Sequence, residues 1–285
     1  MKLALFLCSL IFIRSSFALE TDNYIVWKKN LKSSEKILNR YFLDNIEDVI
    51  KNNQNISCEK ITKKIFLKFK SRFVHDNPVE NFLMDHLTED YIYPKTIHYI
   101  EESIYQNPFL PHVPYFGLAP NIQVNGYYFG TDKLSHFASV GYIYFSKNYL
   151  RKAIDYGIQD EKTLHGYWAS GVFSYADLEA NYQGFLFYKN ICSDPDSMLE
   201  KVNKNWVIKN KPQIKKYING YWDESFYPSY RVEKNWTKVS PIIRKKYCVL
   251  QNPRLKYYQK TSAKSPSMIY LERVEQLPRP QKICE

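Results

Sequence analysis

Residues 130–187 read GTDKLSHFASVGYIYFSKNYLRKAIDYGIQDEKTLHGYWASGVFSYADLEANYQGFLF and contain three segments with helical character. Three pairs of polar residues in this stretch are each four positions apart: Asp132 with His136, Glu161 with His165, and Asp177 with Asn181. Residues four apart on an α-helix lie on one face. We therefore expect helices over 131–150, 160–169 and 174–187, each with a carboxylate next to a nitrogen-bearing or amide side chain.

Convergence of the three helix faces would surround His136 with carboxylates. Such a site suits general acid–base chemistry or the binding of a divalent cation. We predict His136, Glu161 and Asp177 as catalytic residues, with His136 as the acid–base. Glu161 or Asp177 would orient His136 or bind the cation, and Asn181 would hold a substrate group. The sequence leaves the metal, the substrate and the reaction open.

Each of these residues also has an ordinary structural explanation. Asp132 would lie in a first helical turn, where the helix dipole favours negative charge. Ser174 and Asp177 fit a capping box, which needs no catalysis. The alternative hypothesis is therefore a non-enzymatic protein in which the polar residues form a buried network that holds three helices in register.

The ordered string DKLSHF, then Glu161, then GVFSYADLEANYQG resembles the pattern D-K-x-x-H-F, E, F-S-x-x-D-x-x-x-N-x-x-G of VanZ-like proteins and of uncharacterised envelope lipoproteins of the YfiM type. It covers about 55 of the 285 residues. The resemblance implies a helical protein of the bacterial cell envelope. Because these families have no assigned reaction, the resemblance does not predict one for this chain. The positions that it marks are Asp132, Lys133, His136, Glu161, Ser174, Asp177, Asn181 and Gly184.

The chain departs from both families in its relation to the membrane. VanZ-like proteins resemble integral membrane proteins, whereas the segment from Thr131 carries Lys133 and Lys147 and is typical of a soluble helix. No lipobox cysteine follows the leader.

Residues 1–18 have the three parts of a signal peptide: Lys2, the apolar run Leu3 to Ile13, and the small-x-small end Ser16-Phe17-Ala18. We predict cleavage near Ala18 and export to the periplasm or the medium. An uncleaved anchor is the alternative, although 11 apolar residues fall short of the ~20 that span a bilayer.

Four cysteines remain after the leader: Cys58, Cys192, Cys248 and Cys284. An even number in an oxidising compartment predicts one or two disulfides, with three pairings open. The spacings are too long for a zinc knuckle or a CxxC redox motif.

Charge is unevenly distributed along the chain. Without the leader, 38 basic and 29 acidic residues remain, and residues 201–285 hold 19 of the basic and 6 of the acidic ones. This basic segment, interleaved with aromatic residues, predicts an anionic envelope polymer or a membrane surface as partner. No nucleic acid is expected in an exported protein. The alternative is that these lysines lie on solvated helix faces.

The chain as a whole predicts a mainly α fold, a single-domain helical bundle with long Pro-rich and aromatic loops and one or two disulfides. Residues 19–200 would form a helical body, and residues 201–285 a basic helical segment packed on the same domain. Motifs for GxSxG hydrolases, HExxH zincins, Walker NTPases and EF-hands are absent from the sequence. We therefore expect an exported envelope protein with a His/carboxylate site, either a metal-assisted hydrolase of an anionic lipid or glycan or the non-enzymatic alternative.

Helix starts outside the motif are predicted from apolar spacing and from capping residues. We expect one helix over 23–52, further helices beginning after Ser57 and at Pro78, and another over 96–106. Prolines make 107–130 an ordered linker, with a hairpin as the less favoured alternative. Three short helices are expected after capping pairs, namely Asp194-Pro195, Ser240-Pro241 and Ser265-Pro266, and residues 221–229 are expected to form a packed aromatic loop.

Overall fold

A computed structural model describes residues 20–70, 77–95, 103–105, 118–147, 149–163, 166–167, 170–250, 252–282 and 284. Helices predominate among these residues, as the sequence predicts. The helices are α1 (Glu35–Lys51), α2 (Cys58–Phe69), α3 (Pro78–His86), α4 (Asp132–Ser135), α5 (Gly141–Ser146), α6 (Leu150–Glu161), α7 (Tyr175–Lys189), α8 (Glu233–Lys246), α9 (Pro253–Thr261) and α10 (Pro266–Arg273). Single 3-10 turns are Tyr24–Val26, Ile214–Lys216 and Gly220–Trp222, and the π-helical turn His136–Val140 joins α4 to α5.

Short strands accompany the helices: β1 (Glu20–Thr21), β2 (Ile92–Tyr93), β3 (Leu118–Ala119), β4 (Asn121–Val124), β5 (Tyr127–Gly130), β6 (Val172–Phe173), β7 (Leu199–Val202), β8 (Asn205–Ile208) and β9 (Tyr230–Arg231). β2, β4 and β5 form an antiparallel sheet, whereas β1–β3, β6–β9 and β7–β8 are two-stranded pairs. β1–β3 is parallel. These pieces of sheet mean that the fold is more than a bundle of helices.

The N-terminal segment differs from the single helix expected over 23–52. Residues 20–26 form β1 and one 3-10 turn, and α1 begins only at Glu35. Side-chain hydrogen bonds hold this segment in place: Thr21 Oγ1 donates to Asp132 Oδ1 at 2.6 Å, and Asn23 Nδ2 donates to Asn121 Oδ1 at 2.5 Å. Such bonds compete with helix formation, so the helical spacing of the apolar residues was misleading here.

The next two helix starts are confirmed. Ser57 Oγ accepts from the Lys60 amide at the start of α2, and Pro78 lies in the first turn of α3. Most of the predicted 96–106 helix lies outside the described residues. The preferred linker over 107–130 is wrong for its C-terminal part, because residues 121–130 form the β4–β5 hairpin. Positive φ angles at Asn125 and Gly126 make its turn.

The predicted helix over 160–169 is also wrong. Glu161 is the last residue of α6, and the chain then turns sharply, with the Tyr167 amide donating to the Glu161 carbonyl at 3.0 Å. An added Cβ on Gly166 would lie 1.9 Å from the same carbonyl oxygen, so this turn requires glycine. His165, the predicted partner of Glu161, lies outside the described residues.

Helix α7 is buried along most of its length and crosses the π-turn and α5 at very short range. An added Cβ on Gly184 would lie 2.1 Å from the Phe137 carbonyl oxygen, and one on Gly141 would lie 2.5 Å from the Gly184 Cα. The two glycines therefore allow the backbones to meet. This crossing brings the first turns of α7 next to the π-turn.

The capping pairs in the basic segment have different outcomes. Ser265 caps α10 by accepting from the Met268 amide at 3.1 Å. The β7–β8 hairpin follows Asp194-Pro195 instead of a helix, and Pro241 lies inside α8. Val239 and Ile243, on either side of Pro241, are buried, and this packing offsets the hydrogen bond that proline removes.

Residues of the body and of the basic segment share the largest apolar core, as Tyr127 and Tyr258 illustrate. Disulfides join Cys58 to Cys192 and Cys248 to Cys284, which confirms the predicted use of four cysteines and selects one of the three pairings. Within the described part of the chain, every helix is too short or too polar to cross a membrane.

Candidate cation-binding site

The residues of the sequence motif converge from three elements. His136 begins the π-turn, Glu161 ends α6, and Asp177 and Asn181 lie on the first two turns of α7. Ser174 fixes the start of α7, because its Oγ accepts from the Asp177 amide at 3.2 Å. The serine cap predicted from the sequence is thus present, but the reciprocal bond of a capping box is not, because the Ser174 amide donates to Glu161 Oε2 at 3.1 Å.

One half of the cluster, which we call the lysine side, consists of Lys133 and the carboxylates of Asp132, Asp177 and Glu224. Lys133 Nζ lies 2.8 Å from Asp132 Oδ2, 2.7 Å from Asp177 Oδ1 and 2.6 Å from Glu224 Oε1. Its side chain is fully buried. Burial alone would lower the pKa of Lys133, but the three carboxylates outweigh it and hold the pKa well above the ordinary value.

Hydrogen bonds complete the lysine side. Thr21 Oγ1 donates to Asp132, Ser174 Oγ donates to Glu224 Oε1 at 3.0 Å, and Ser229 Oγ donates to Glu224 Oε2 at 2.8 Å. The spacing of the three carboxylates would suit a metal ion. The Lys133 ammonium already fills this position, so we do not regard the lysine side as a metal site.

The other half, the histidine side, consists of His136, Glu161 and Asp177. Each offers a ligand atom, and the three atoms lie within 4.8 Å of one another. Glu161 Oε2 accepts from the Ser174 amide at 3.1 Å, whereas Glu161 Oε1 is buried and has no hydrogen-bond partner among the described residues. The His136 side chain is 16% exposed, so the histidine side is more accessible than the fully buried Lys133.

The contacts of His136 leave a donor atom for a cation. His136 Nδ1 lies 3.2 Å from Asn181 Oδ1, and an amide oxygen can only accept, so Nδ1 carries the proton. In the neutral ring, Nε2 then presents its lone pair to Asp177 Oδ2, which lies 3.4 Å away. Two ligands bound ~2.1 Å from one tetrahedral ion are themselves about 3.4 Å apart. A proton or a metal ion between the two atoms would relieve the opposition of lone pairs.

The charge around the site favours a further cation. Five buried carboxyl groups cluster here: Glu20, Asp132, Glu161, Asp177 and Glu224. Among the described residues, Lys133 and Arg231 supply the buried fixed positive charge, and Arg231 only reaches Glu224 at 4.0 Å. Burial first, and neighbouring carboxylates second, raise the pKa values of Glu20 and Glu161 well above the usual range.

Sequence reasoning missed two acidic residues near the site. Glu20 belongs to no recognisable sequence motif. Its carboxyl group nevertheless lies inside the cluster, where it accepts a hydrogen bond from Ser170 Oγ. Glu80 lies in the first turn of α3, where the helix dipole alone would account for an acidic residue. In the structure its side chain is hydrogen-bonded to Ser135. Burial, followed by the charge of Asp132, raises the pKa of Glu80 to about 8.

Glu224 belongs to the segment 221–229, for which the sequence predicts a packed aromatic loop. Trp222 is buried in the core as that prediction requires, and Glu224 in addition supplies a carboxylate that pairs with Lys133.

The helix geometry at His136 is itself unusual. π-helical turns are rare and occur frequently at functional sites, because the wider turn re-aims a side chain. The turn His136–Val140 begins at the histidine and packs on α7. It thereby supports a ligand-binding role for this position.

No family model, curated protein or solved structure matches this chain. The resemblance to VanZ-like and YfiM-type proteins therefore stays a prediction, and the chemistry of the site rests on the geometry of its own residues.

Proposed function

We propose that this chain is an exported protein that binds one divalent cation between His136, Glu161 and Asp177 and uses it to hydrolyse an anionic envelope lipid or glycan. The observation that carries the proposal is Glu161 Oε1, which is buried next to His136 and Asp177 and has no hydrogen-bond partner among the described residues. Buried polar atoms are nearly always hydrogen-bonded, so an unpaired carboxylate oxygen needs an explanation. A cation supplies it by displacing the proton that the raised pKa of Glu161 otherwise retains.

One imidazole and two carboxylates form a nitrogen–oxygen ligand set of the kind that Zn²⁺ and Mn²⁺ accept. Three protein ligands leave a coordination position for water, and bound Zn²⁺ lowers the pKa of that water to about 7. A hydroxide formed at that position would be the nucleophile of the proposed hydrolysis. Asn181 acts as a positioning residue, because its contact with Nδ1 keeps Nε2 directed at the ion.

Glu80 is suited to deliver a proton to the leaving group. It is hydrogen-bonded to Ser135, the residue before His136, and with a pKa of about 8 it holds its proton at neutral pH. Lys133 stabilises the position of Asp177 without entering the reaction.

The two disulfides are consistent with an oxidising compartment and support export. The predicted leader supports cleavage near Ala18 and a periplasmic or secreted location. N-terminal sequencing of protein recovered from a secreting host should begin at Leu19, and an intact Met1 in that fraction would contradict the cleavage.

The lysine side favours a second candidate function. Its buried, mutually satisfied charges are what a helix-register network requires, and a protein built only on that network would bind no metal. The histidine side distinguishes the two functions.

The test begins with metal analysis of the purified chain from Leu19 after dialysis against Zn²⁺ or Mn²⁺. We expect one ion per chain in the unmodified protein and less than a tenth of that in His136→Ala and Glu161→Gln. His86→Ala and Glu200→Gln, which change exposed residues of the same types, should bind the full amount. Equal metal content in all five proteins would contradict the site.

Hydrolysis is tested on the metal-loaded protein with anionic phospholipid vesicles and an acidic cell-wall glycan, with products identified by mass spectrometry. We expect cleavage of one of them that Glu161→Gln abolishes. Stoichiometric metal without cleavage of either class would retain the metal site and reject the proposed reaction.

A further inference from the structure

A cavity of about 660 Å³ lies between the 3-10 turn at Tyr24, the segment 221–228 and the C-terminal residues 255–284. This volume falls within the ~300–1,000 Å³ of small-molecule sites. None of the histidine-side residues lines it. Its lining combines aromatic rings with basic side chains, among them Trp27, Tyr221, Tyr227, Lys264, Arg279 and Lys282.

The polar tips of the aromatic residues are anchored. Trp27 Nε1 donates to Ser225 Oγ at 2.8 Å, and Ser225 Oγ in turn donates to Asp223 at 2.5 Å. Tyr227 Oη donates to Glu272 Oε1 at 3.1 Å. These bonds fix the ring orientations, and a preorganised wall binds a ligand at a lower entropic cost.

Charge decides which ligand fits. Among the described residues, the lining contains three basic side chains and one acidic side chain, Glu272, whose Oε2 is already paired with Lys264 Nζ at 2.7 Å. Arg279 and Lys282 are exposed at this cavity. A cationic ligand is therefore disfavoured. The guanidinium of Arg279 donates to the Glu272 carbonyl through Nη1 at 2.9 Å, and its planar set of N–H groups suits a phosphate or carboxylate.

We infer that this cavity binds an acidic saccharide, a sugar ring that carries a phosphate or a carboxylate. The ring has apolar faces for Trp27 and Tyr227 and hydroxyl groups for the polar lining, while its anionic group pairs with Arg279. The basic C-terminal segment thus contributes a defined site as well as a diffuse positive surface.

The inference deepens the proposed function, since it names the class of substrate, but binding here uses no residue of the histidine side. The segment 221–228 lines the cavity with Ser225, while the neighbouring Glu224 closes the lysine side. Saccharide binding and metal binding can therefore succeed or fail separately.

Isothermal titration of the full mature chain with glucose 1-phosphate and with glucuronate tests the inference, with glucose and inorganic phosphate as single-feature probes. We expect one site per chain, with at least one acidic sugar bound tenfold more tightly than either single-feature probe. Arg279→Gln should weaken that binding at least tenfold, and Trp27→Leu should do so if its melting curve shows that it folds. Arg273→Gln, an exposed arginine on α10, and His136→Ala should leave it unchanged.

Three results would overturn the inference: no binding of either acidic sugar at millimolar concentration, phosphate bound as tightly as glucose 1-phosphate, or full affinity in Arg279→Gln. Loss of metal in His136→Ala with intact saccharide binding would show that the two sites are independent.

Discussion

The lysine side and the histidine side share Asp177 and treat its two oxygens differently. Oδ1 lies 2.7 Å from the buried ammonium of Lys133, whereas Oδ2 lies 3.4 Å from His136 Nε2, which presents a lone pair when the ring is neutral. On one side a cation that belongs to the chain completes the network. On the other side the network is incomplete, since Glu161 Oε1 has no hydrogen-bond partner in the part of the chain that the structure describes. The comparison teaches that the same carboxylate can serve as scaffold and as ligand.

The largest effect should come from breaking the lysine side. Lys133→Met leaves three buried carboxylates without their shared counter-charge, and losing one partner of a buried ion pair costs about 3–5 kcal/mol. Urea unfolding at pH 7 measures the loss. Lys32→Met removes an exposed partner of Asp90 and should cost less than about 1 kcal/mol. Equal losses in the two variants would contradict the structural role of Lys133.

The second effect is a loss of stability as pH rises, from carboxyl groups that do not contact Lys133. Burial raises the pKa of Asp223 from its ordinary 3.8 to about 7, and that of Glu80 to about 8. Between about pH 4 and 8 the folded chain thus binds more protons than the unfolded chain, so the free energy of unfolding falls as pH rises, by a few kcal/mol at about 1.4 kcal/mol for each unit of raised pKa.

Thermal melts of the chelator-treated protein at pH 5 and pH 8 measure this slope. Asp223→Asn keeps acceptor atoms for Ser225 but cannot titrate, so its slope should be smaller. A metal-free protein that is more stable at pH 8 than at pH 5 would contradict these proton-binding carboxyl groups.

These two effects mark how far the sequence could lead. Helical spacing and the resemblance singled out His136, Glu161 and Asp177, and their convergence was a hypothesis. Glu161 was expected near the start of a helix over 160–169, whereas it ends α6. The assignment of Lys133 came only from the resemblance, and nothing local distinguishes it from a surface lysine. Glu20 and Glu224 come from distant segments, and their approach depends on tertiary packing that no period or capping motif encodes.

The fold shows the same division. Capping by Ser57, Ser174 and Ser265 is a local property and was predictable. The prediction of a helix from residue 23 is wrong because the tertiary hydrogen bonds of Thr21 and Asn23 outweigh the helical spacing of the apolar residues. The predicted helix start at Ser240-Pro241 is wrong because the burial of Val239 and Ile243 in α8 outweighs the capping signal.

A third prediction perturbs both sides together. Gly184→Ala puts a methyl group 2.1 Å from the Phe137 carbonyl oxygen, so α7 must move away from the π-turn. Overpacking of this kind should cost about 1–2 kcal/mol and also weaken metal binding, because His136 and Asn181 lie on the two elements that separate. Calorimetric melts and metal titration measure the two losses. Wild-type stability and affinity would show that the crossing has more room than the two glycines indicate.

The smallest effect should fall on the histidine side alone. Asn181→Ala removes the acceptor at His136 Nδ1 without removing a ligand, and the loss of such a supporting contact weakens metal affinity by at least about tenfold. Competition with a fluorescent chelator measures the change. Asn181→Asp should restore or exceed the original affinity, since a carboxylate accepts the same hydrogen bond. Unchanged affinity in Asn181→Ala would remove Asn181 from the site.

The most direct measurement is the position of a bound ion in crystals of the mature chain grown with Zn²⁺, located by anomalous diffraction at the zinc edge. We predict one peak in the cluster, about 2.0–2.2 Å from His136 Nε2 and from oxygens of Glu161 and Asp177, with Lys133 still paired to its three carboxylates. A peak among Asp132, Asp177 and Glu224 with Lys133 displaced would contradict the division between the two sides. Crystals without zinc at the cluster would contradict the cation site itself.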